Sequence, residues 1–481
     1  MSMPAQPSPA IDRAAVVAAL QALDLIALAG ARWFGAKGRA IRTVELDEGF
    51  VLDVQAGHVL AIVSLTLDDR ARERYSIALT GQPLREASPG DGAWRALAVA
   101  MSRGTTIPAL PAGPDDGTTT TITAALVCRP GVAMPRGGPG TERDLGADQS
   151  NTSVLLGEEL LLKAYRRIQP GLNPDLEMTA FLSEQARFPA VPPLGGFAEL
   201  VETRHGTSTL AMAQQFVSDG ADAFESIVAS LTGWILAPGT VSVEVATEVA
   251  VDLGALTAGL HAAVADGHGM AEMAPRDATR DEIRSWARSA HEHLDRALDC
   301  APARSDAGRT LRALAPRIQE ALTVLDALPT TSEVVRAHGD LHLGQILIAP
   351  DGYRIIDFEG LPLTTTDERR AHRHPLRDVA SMLRSLDHVA RSAQRRAAAQ
   401  AETDHVGLDV DAWIGRARER FLDAYRGGLL EARVVPASDP DLLRAFEVDS
   451  ELSEFFYAAT YLPDWLYAPT EGIRALFDTP S

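Results

Sequence analysis

Two short stretches concentrate the reactive side chains of this chain: His338-Gly339-Asp340-Leu341-His342-Leu343-Gly344-Gln345 and Ile355-Ile356-Asp357-Phe358-Glu359-Gly360. Together they carry three carboxylates and a carboxamide. Gln345 to Ile348 and Tyr353 to Ile356 are largely apolar runs on either side of Asp351-Gly352, which is a hairpin signal. A hairpin this short returns its ends to one rim, so Asp340, Gln345, Asp357 and Glu359 are expected to converge. Phosphoryl transfer requires such a group: one carboxylate to accept a hydroxyl proton, and an amide with a second carboxylate to hold magnesium on the phosphates. The plain alternative is a solvated hairpin with acidic ends.

A second set lies upstream. Lys163 ends the apolar run Glu159 to Ala164, and Glu177 follows on a segment from Pro174 to Gln185 that reads as a helix, with Pro174 suited to its first position. A strand lysine reaches α- and β-phosphates, and a helix glutamate fixes its ammonium by charge-assisted hydrogen bonding. The same two residues could equally form an ordinary ion pair. Before the strand comes Gly146-Ala147-Asp148-Gln149-Ser150-Asn151-Thr152-Ser153. With one glycine it is neither a Walker A loop nor a protein-kinase glycine loop. The small hydroxyl and amide groups of Ser150, Asn151, Thr152 and Ser153 can still donate hydrogen bonds to phosphates.

The elements that must position these groups follow from periodicity. Ile11 to Leu28 reads as a helix, and Thr43 to Leu46, Val59 to Leu67 and Tyr75 to Leu79 as strands. Between them Arg32-Trp33-Phe34-Gly35-Ala36-Lys37-Gly38-Arg39 forms an aromatic and basic patch, read as a domain contact or an anion site. A hairpin spans Ser153 to Tyr165, and Thr209 to Gln214 is a strand running into a hinge at Gln215 to Gly220. Helices are expected over 221–237, 241–264, 280–298, 308–328, 375–399, 411–430 and 439–459. The expected domains are 1–92, a cap; 93–217, rich in strands; and 218–481, helical. There is no internal repeat.

Bulk composition narrows the function. The chain has 481 residues, enough for several domains, and is 46% hydrophobic, the range of an ordinary folded protein. Its net charge of −20 argues against nucleic-acid or anionic-membrane partners, which need local positive potential. Two cysteines, Cys128 and Cys300, offer no disulfide framework and fit a reducing cytosol. The first residues lack a basic region followed by an apolar core, and Gln21 and Asp24 interrupt the most apolar early stretch, so neither a signal peptide nor a membrane span is expected. A cytoplasmic, soluble protein is the expectation.

The order of these features resembles the aminoglycoside-phosphotransferase and choline-kinase-like group: polar loop, strand lysine, helix glutamate, hinge, His-Gly-Asp-Leu-His, then Asp-Phe-Glu. Asp148 to Ser153, Tyr165-Arg166-Arg167-Ile168-Gln169-Pro170-Gly171-Leu172-Asn173-Pro174-Asp175 and His338 to Gln345 look closer still to bacterial maltokinases, as does the aromatic-basic segment with its cap. The resemblance implies an α+β, bilobal protein-kinase-like fold with an N-terminal cap domain, ATP and Mg2+ as cofactors, and a monomer or weak homodimer. It implies Asp340 as catalytic base and Gln345 and Asp357 as magnesium ligands, with Glu359 in support. It also implies that Ser150, Asn151, Thr152, Ser153, Lys163, Glu177 and the hinge residues Gln215 and Val217 meet the nucleotide. His338 and His342 are expected to brace the loop, His342 facing the acceptor side.

The acceptor is expected to be a small sugar, either an amino sugar or a disaccharide. Tyr457 to Glu471 and Leu361-Pro362-Leu363 both depart from the maltokinase pattern. Tyr461, Asp464, Trp465 and Glu471 combine aromatic faces, which pack on a pyranose, with carboxylates that would pair with an ammonium group. The other reading of that segment is a C-terminal helix with aromatics in the core. An actinobacterial branch of maltokinase-like proteins is associated with glucosamine phosphorylation, and this terminus looks closer to that branch. Glucosamine is therefore expected first, phosphorylated on its 6-hydroxyl; maltose on its anomeric hydroxyl and aminoglycosides come next. A pseudokinase binding module is the non-enzymatic alternative. Arg377 and Asp378, at the start of a helix, are expected to position the Asp357 loop.

Overall fold

A computed structural model describes residues 11–31, 33–111, 124–146, 151–237, 239–265, 267–360, 365–401 and 410–478. The chain divides into two compact units, Met1–Glu184 with Pro192–Ser218, and Gln185–Val191 with Asp219–Ser481.

The first unit opens with two helices, not the single one expected. Asp12 caps α1 (Arg13–Gln21) and Asp24 caps α2 (Leu25–Gly30), each accepting backbone N–H bonds, and the second cap breaks the run. A four-stranded antiparallel sheet follows: β1 (Ile41–Asp53), β2 (His58–Leu67), β3 (Arg72–Thr80) and β4 (Arg85–Glu86). Strand β2 is apolar on both sides because both of its faces are covered. Val59, Ala61, Val63 and Leu65 pack towards Val16, Leu20 and Leu28. Leu60 and Ile62 pack the other way, into a core with Trp94 and Leu97 of α3 (Ala93–Ser102) and Leu126 and Cys128. Alternation of side chains along a strand makes this two-sided burial possible.

That second core also belongs to a seven-stranded sheet, in the order β5-β6-β10-β11-β9-β8-β7. Its strands are β5 (Thr106–Pro108), β6 (Ala124–Pro130), β7 (Glu142–Asp144), β8 (Thr152–Leu156), β9 (Leu160–Ala164), β10 (Leu194–Glu202) and β11 (Gly206–Gln215). The expected hairpin is β8–β9, and the strand expected at Thr209 to Gln214 lies within β11. β10 escaped the sequence reading: Gly195 and Gly196 open it and a bulge interrupts its pairing with β11, which blurs its alternation. Helix α4 (Pro174–Ala180) is capped by Asn173 and runs into one π turn over Phe181–Gln185.

The second unit is helical apart from β12 (Ala221–Asp222), which pairs with the hairpin that bears the acidic residues, and a short pair, β13 (Arg276–Asp277) and β14 (Glu333–Val334). Its helices are α5 (Ala223–Leu236), α6 (Val243–Ala246), α7 (Glu248–Val264), α8 (Arg280–Cys300), α9 (Asp306–Asp326), α10 (Thr366–Arg370), α11 (Leu376–Gln400), α12 (Val410–Glu431), α13 (Pro440–Tyr461) and α14 (Tyr467–Asp478). Side-chain oxygens of Asp222, Ser242, Thr279, Ser305 and Asp439 cap their helices, so the starts expected from sequence fall within a few residues of the observed ones. α11 lies centrally, packed by α5, α12, α13 and α14. The hairpin is β15 (Ile346–Ala349) and β16 (Gly352–Ile355), in the register Ile346↔Ile355. Among the described residues no helix is long and apolar enough to cross a membrane.

Candidate active site

Hairpin register does most of the assembly in the second unit. Ile346 pairs with Ile355, and the Ile356 N–H donates to the Gln345 carbonyl at 2.9 Å. Gln345, at the end of a 3-10 turn, and Asp357 are thereby held at the same end of the ladder. Carboxylate oxygens of Asp357 and Glu359 lie within 4.8 Å of each other. Asp357 sits at φ 67, a left-handed conformation that costs a non-glycine residue energy unless the surroundings impose it. Arg369 pairs with the Glu359 carboxylate at 3.6 Å and donates to its carbonyl at 3.3 Å.

Asp340 lies in the loop before the hairpin, and that loop is clamped from below. The buried carboxylate of Asp378 on α11 accepts the backbone N–H groups of His338 at 2.8 Å and Gly339 at 3.0 Å. The loop that Asp378 is seen to hold is therefore that of Asp340, where the sequence pointed to that of Asp357. Asp378 in turn meets His261 Nε2 at 3.3 Å, and His261 Nδ1 meets the Tyr425 hydroxyl at 2.9 Å. Burial opposes ionisation of Asp378, but the bond from His261, the histidine charges and the Gly339 amide outweigh it, so its carboxyl lies below the usual range. Gly339 has φ 86, a left-handed conformation that favours glycine, and a Cβ there would press on the Arg373 side chain at 3.3 Å.

The two loop histidines have distinguishable roles. His338 Nδ1 accepts from the Asp340 N–H at 3.4 Å, leaving Nε2 to donate to the Ile356 carbonyl at 3.2 Å and so tie the loop to the hairpin. Its ring packs on Phe358 at 4.6 Å. His342 Nδ1 accepts from Gly344, and its Nε2 lies 4.0 Å from Asp340 Oδ2 and 3.4 Å from the Gln345 carboxamide. Burial pushes the Asp340 carboxyl above its ordinary pKa; His342 and His338 pull it down, and the charges of Asp357 and Asp378 push it up again. An acid poised upwards in this way is suited to taking a proton.

In the first unit Lys163 is buried near the end of β9, and its ammonium donates to Asp175 Oδ2 at 2.9 Å. The Tyr165 hydroxyl donates to the same oxygen at 3.2 Å. Asp175 is a partner of Lys163 that the sequence reading did not name. Glu177, the acid expected there, is buried on the same helix, α4. Ser153 pairs across the ladder with Lys163, and Asn151 and Thr152 stand at the start of β8. Ser150 lies outside the described residues. Gln215 ends β11, its N–H bonded to the Pro193 carbonyl, and Val217 follows outside regular structure.

The residues of the expected acceptor patch differ in exposure. Tyr461, the last residue of α13, and Asp464, just beyond it, are exposed. Trp465 is half-buried; its indole N–H donates to Glu454 at 2.9 Å, and its ring meets Phe224, His388 and Tyr467. Glu471 is ion-paired with Arg474. The segment Leu361-Pro362-Leu363 lies outside the described residues. Beside Trp465 is a buried cluster that the sequence did not reveal: Asp387, His388 and Glu451 offer ligand atoms within 4.8 Å of one another. Arg384 pairs with Glu451, and Arg391 grips Asp387 with two bonds of 2.6 and 2.9 Å. Two arginines already balance the two acids, so the cluster does not fit a further metal cation. Gln345, Asp357 and Glu359 do fit one, being oxygen donors of the kind magnesium takes.

Comparison with known proteins agrees with this chemistry. Residues 28–106 match the maltokinase N-terminal cap domain, and residues 141–422 the phosphotransferase enzyme family. A glucosamine kinase of Streptacidiphilus jiangxiensis is 32% identical over 439 residues, covering 89% of this chain and 90% of its own. One from Mycolicibacterium smegmatis is 29% identical over 398 residues, 82% of this chain and 90% of its own. A solved glucosamine kinase in complex with glucosamine, ADP and inorganic phosphate superposes with a TM-score of 0.71 at 28% identity, covering 96% of this chain and 98% of that one. The chain belongs to the phosphotransferase enzyme family, as an enzyme with an alcohol group for acceptor and a maltokinase-type cap at its N-terminal end.

Proposed function

We propose that this phosphotransferase is a glucosamine kinase, moving the γ-phosphoryl group of ATP to the 6-hydroxyl of glucosamine. The observation that carries the reading is Asp340. It is a carboxylate with a raised pKa on a loop whose two preceding amides are fixed by Asp378, next to the paired ends that bear Gln345 and Asp357. The relatives supply the acceptor, since two glucosamine kinases align over most of the chain.

In this reading Asp340 orients the acceptor hydroxyl and takes its proton as the phosphoryl group moves. His342, with its Nε2 near Asp340 and its side chain 40% exposed, is the acceptor-side contact closest to the base. Lys163, anchored by Asp175, meets the phosphates, and Asn151 to Ser153 cover them. Gln345, Asp357 and Glu359 would hold Mg2+, which would offset the charge developing on the transferred phosphoryl group. The working parts are then a cap of residues 1–92, a nucleotide lobe of 93–217 and a helical lobe of 218–481. Trp465 offers the acceptor a ring edge beside His388, whereas exposed Tyr461 and Asp464 and the paired Glu471 are secondary contacts.

The test is ADP release with purified protein, ATP and Mg2+ across glucosamine, glucose, N-acetylglucosamine, maltose and kanamycin. Glucosamine should give the highest kcat/KM, and chelation of Mg2+ should abolish turnover. Turnover of maltose without glucosamine would reverse the acceptor assignment.

A further inference from the structure

Arg166 is a cation buried between two tryptophan rings, and its surroundings link the cap to the strands around Lys163. Its guanidinium lies 5.0 Å from the ring centre of Trp33 and 5.0 Å from that of Trp94, and only 4% of the residue is exposed. Nη1 donates to the Ser76 carbonyl at 3.3 Å, and Nη2 is 3.7 Å from Glu86, which is itself partly exposed. All four partners belong to residues that match the cap domain. The remaining nitrogen, Nε, leaves the cap and donates to Thr152 Oγ1 at 2.8 Å. Thr152 is the first residue of β8, paired with Ala164, and its neighbour Ser153 pairs with Lys163.

The backbone repeats the connection. The residues just after β9 pair with the edge of the cap sheet: the Ser76 N–H donates to the Arg166 carbonyl at 2.7 Å, the Ile168 N–H to the Arg74 carbonyl at 2.9 Å, and Tyr75 bridges Arg167. Arg167 also pairs with Glu73 at 3.0 Å. Backbone pairing alone would suffice to dock the cap. Arg166 is an expensive addition to it: burial lowers its pKa to about 10, and among the described residues its ionic partner is one carboxylate, Glu86 at 3.7 Å, while the buried Trp94 Nε1 has no hydrogen-bond partner. Apolar side chains would fill the same space at lower cost. What an apolar side chain cannot do is hold Thr152.

We propose that Arg166 is a positioning residue through which the cap fixes the start of β8, and hence the affinity for nucleotide. This rests on the kinase reading above, in which Asn151 to Ser153 and Lys163 meet the phosphates. The cap then acts as the abutment of the phosphate-covering turn. Loosening the Trp33–Arg166–Trp94 sandwich releases Thr152 and weakens nucleotide binding without touching the acceptor.

The experiment uses the full chain and two measurements: calorimetric binding of ADP, and KM for each substrate. Arg166→Met keeps the length and the ring contacts but removes the Nε donor, and Trp33→Leu alters only the cap side. Each should weaken ADP about tenfold and raise the KM for ATP alike, with the KM for glucosamine within twofold of wild type. The double variant should be no weaker than Arg166→Met alone, because both act through one bond, and Arg166→Lys should recover part of the loss. If ADP binds Arg166→Met and Trp33→Leu as tightly as wild type while their Tm falls, the sandwich is packing only and the proposal is overturned. Should Arg166→Met fail to fold, Trp33→Leu decides by the same criterion. Wild-type protein that binds no ADP would sink the kinase reading itself; wild-type binding with unaltered variants would sink only the coupling.

Discussion

Asp340, the proposed base, shows how little the placement of a carboxylate owes to its own neighbours in sequence. Its loop is legible as a motif, but its conformation depends on Gly339 at positive φ and on Asp378, whose two accepted amides cannot be read from spacing. Replacing Asp340 by Asn keeps the shape and removes the proton acceptor, so kcat should fall by about 10²–10⁴-fold with the KM for ATP changed only a few-fold. Steady-state kinetics on folded variant protein check this, and wild-type kcat would refute the assignment of the base. The lysine side was half legible. Lys163 was found from the strand, but the sequence offers two acids on one short helix, and the bond from Lys163 to Asp175 is seen only in the fold. Removing one partner of a buried ion pair costs more than the pair contributes, so Asp175→Asn should lower stability by about 3 kcal/mol. Lys163→Met in the same chain should restore much of that stability but no turnover. Denaturant titrations of the two variants separate the outcomes.

At the scale of elements, the sequence was clearest where one signal governs one segment. Helices α8, α9 and α13 carry their own caps and were placed closely, whereas β10 and the break between α1 and α2 depend on a bulge and on a mid-run aspartate. The surroundings of the proposed acceptor residues were hidden for a similar reason: periodicity shows aromatics near the C-terminus but not that Trp465 turns to Glu454 and His388. The braces between helices were invisible altogether. His261 looks like one polar residue on an apolar helix, yet it joins α7 and α12 to the Asp340 loop through Tyr425 and Asp378. His261→Gln retains a donor near Nε2 and should keep most of the activity, whereas His261→Leu should lower kcat about tenfold and leave KM values nearly unchanged; equal kcat in the two variants would remove the brace from the argument. His374, just before α11, gives the same helix a pH limit. Burial, with Arg377 adding, lowers its pKa to about 4. The unfolded side chain titrates near 6.5, so its contribution is complete above that pH and is lost as pH falls towards 4. Between pH 7 and 5 this one residue should cost about 2 kcal/mol of stability, and His374→Asn, which keeps an acceptor for the Leu376 N–H, should flatten that slope in urea titrations.

For the whole molecule, the net charge of −20 is the property that composition gives most directly and that no single contact reveals. A field of that sign opposes the approach of nucleotide, which in the proposed function the buried Lys163 and a divalent cation offset. The same field favours a cationic acceptor over a neutral one. Glucosamine carries an ammonium group and glucose does not, while the two are nearly equal in size, so the pair isolates the charge effect. Salt shortens the range of the field, to about 10 Å at 0.1 M and about 3 Å at 1 M. With ATP and Mg2+ held saturating, the kcat/KM for glucosamine should therefore fall several-fold between low and high ionic strength, and that for glucose should hardly move. N-acetylglucosamine, whose larger acetamido substituent carries no charge, should follow glucose in its response to salt. Parallel salt profiles for all three sugars would mean that the acidic surface plays no part in acceptor choice, and that discrimination lies wholly in short-range contacts within the helical unit.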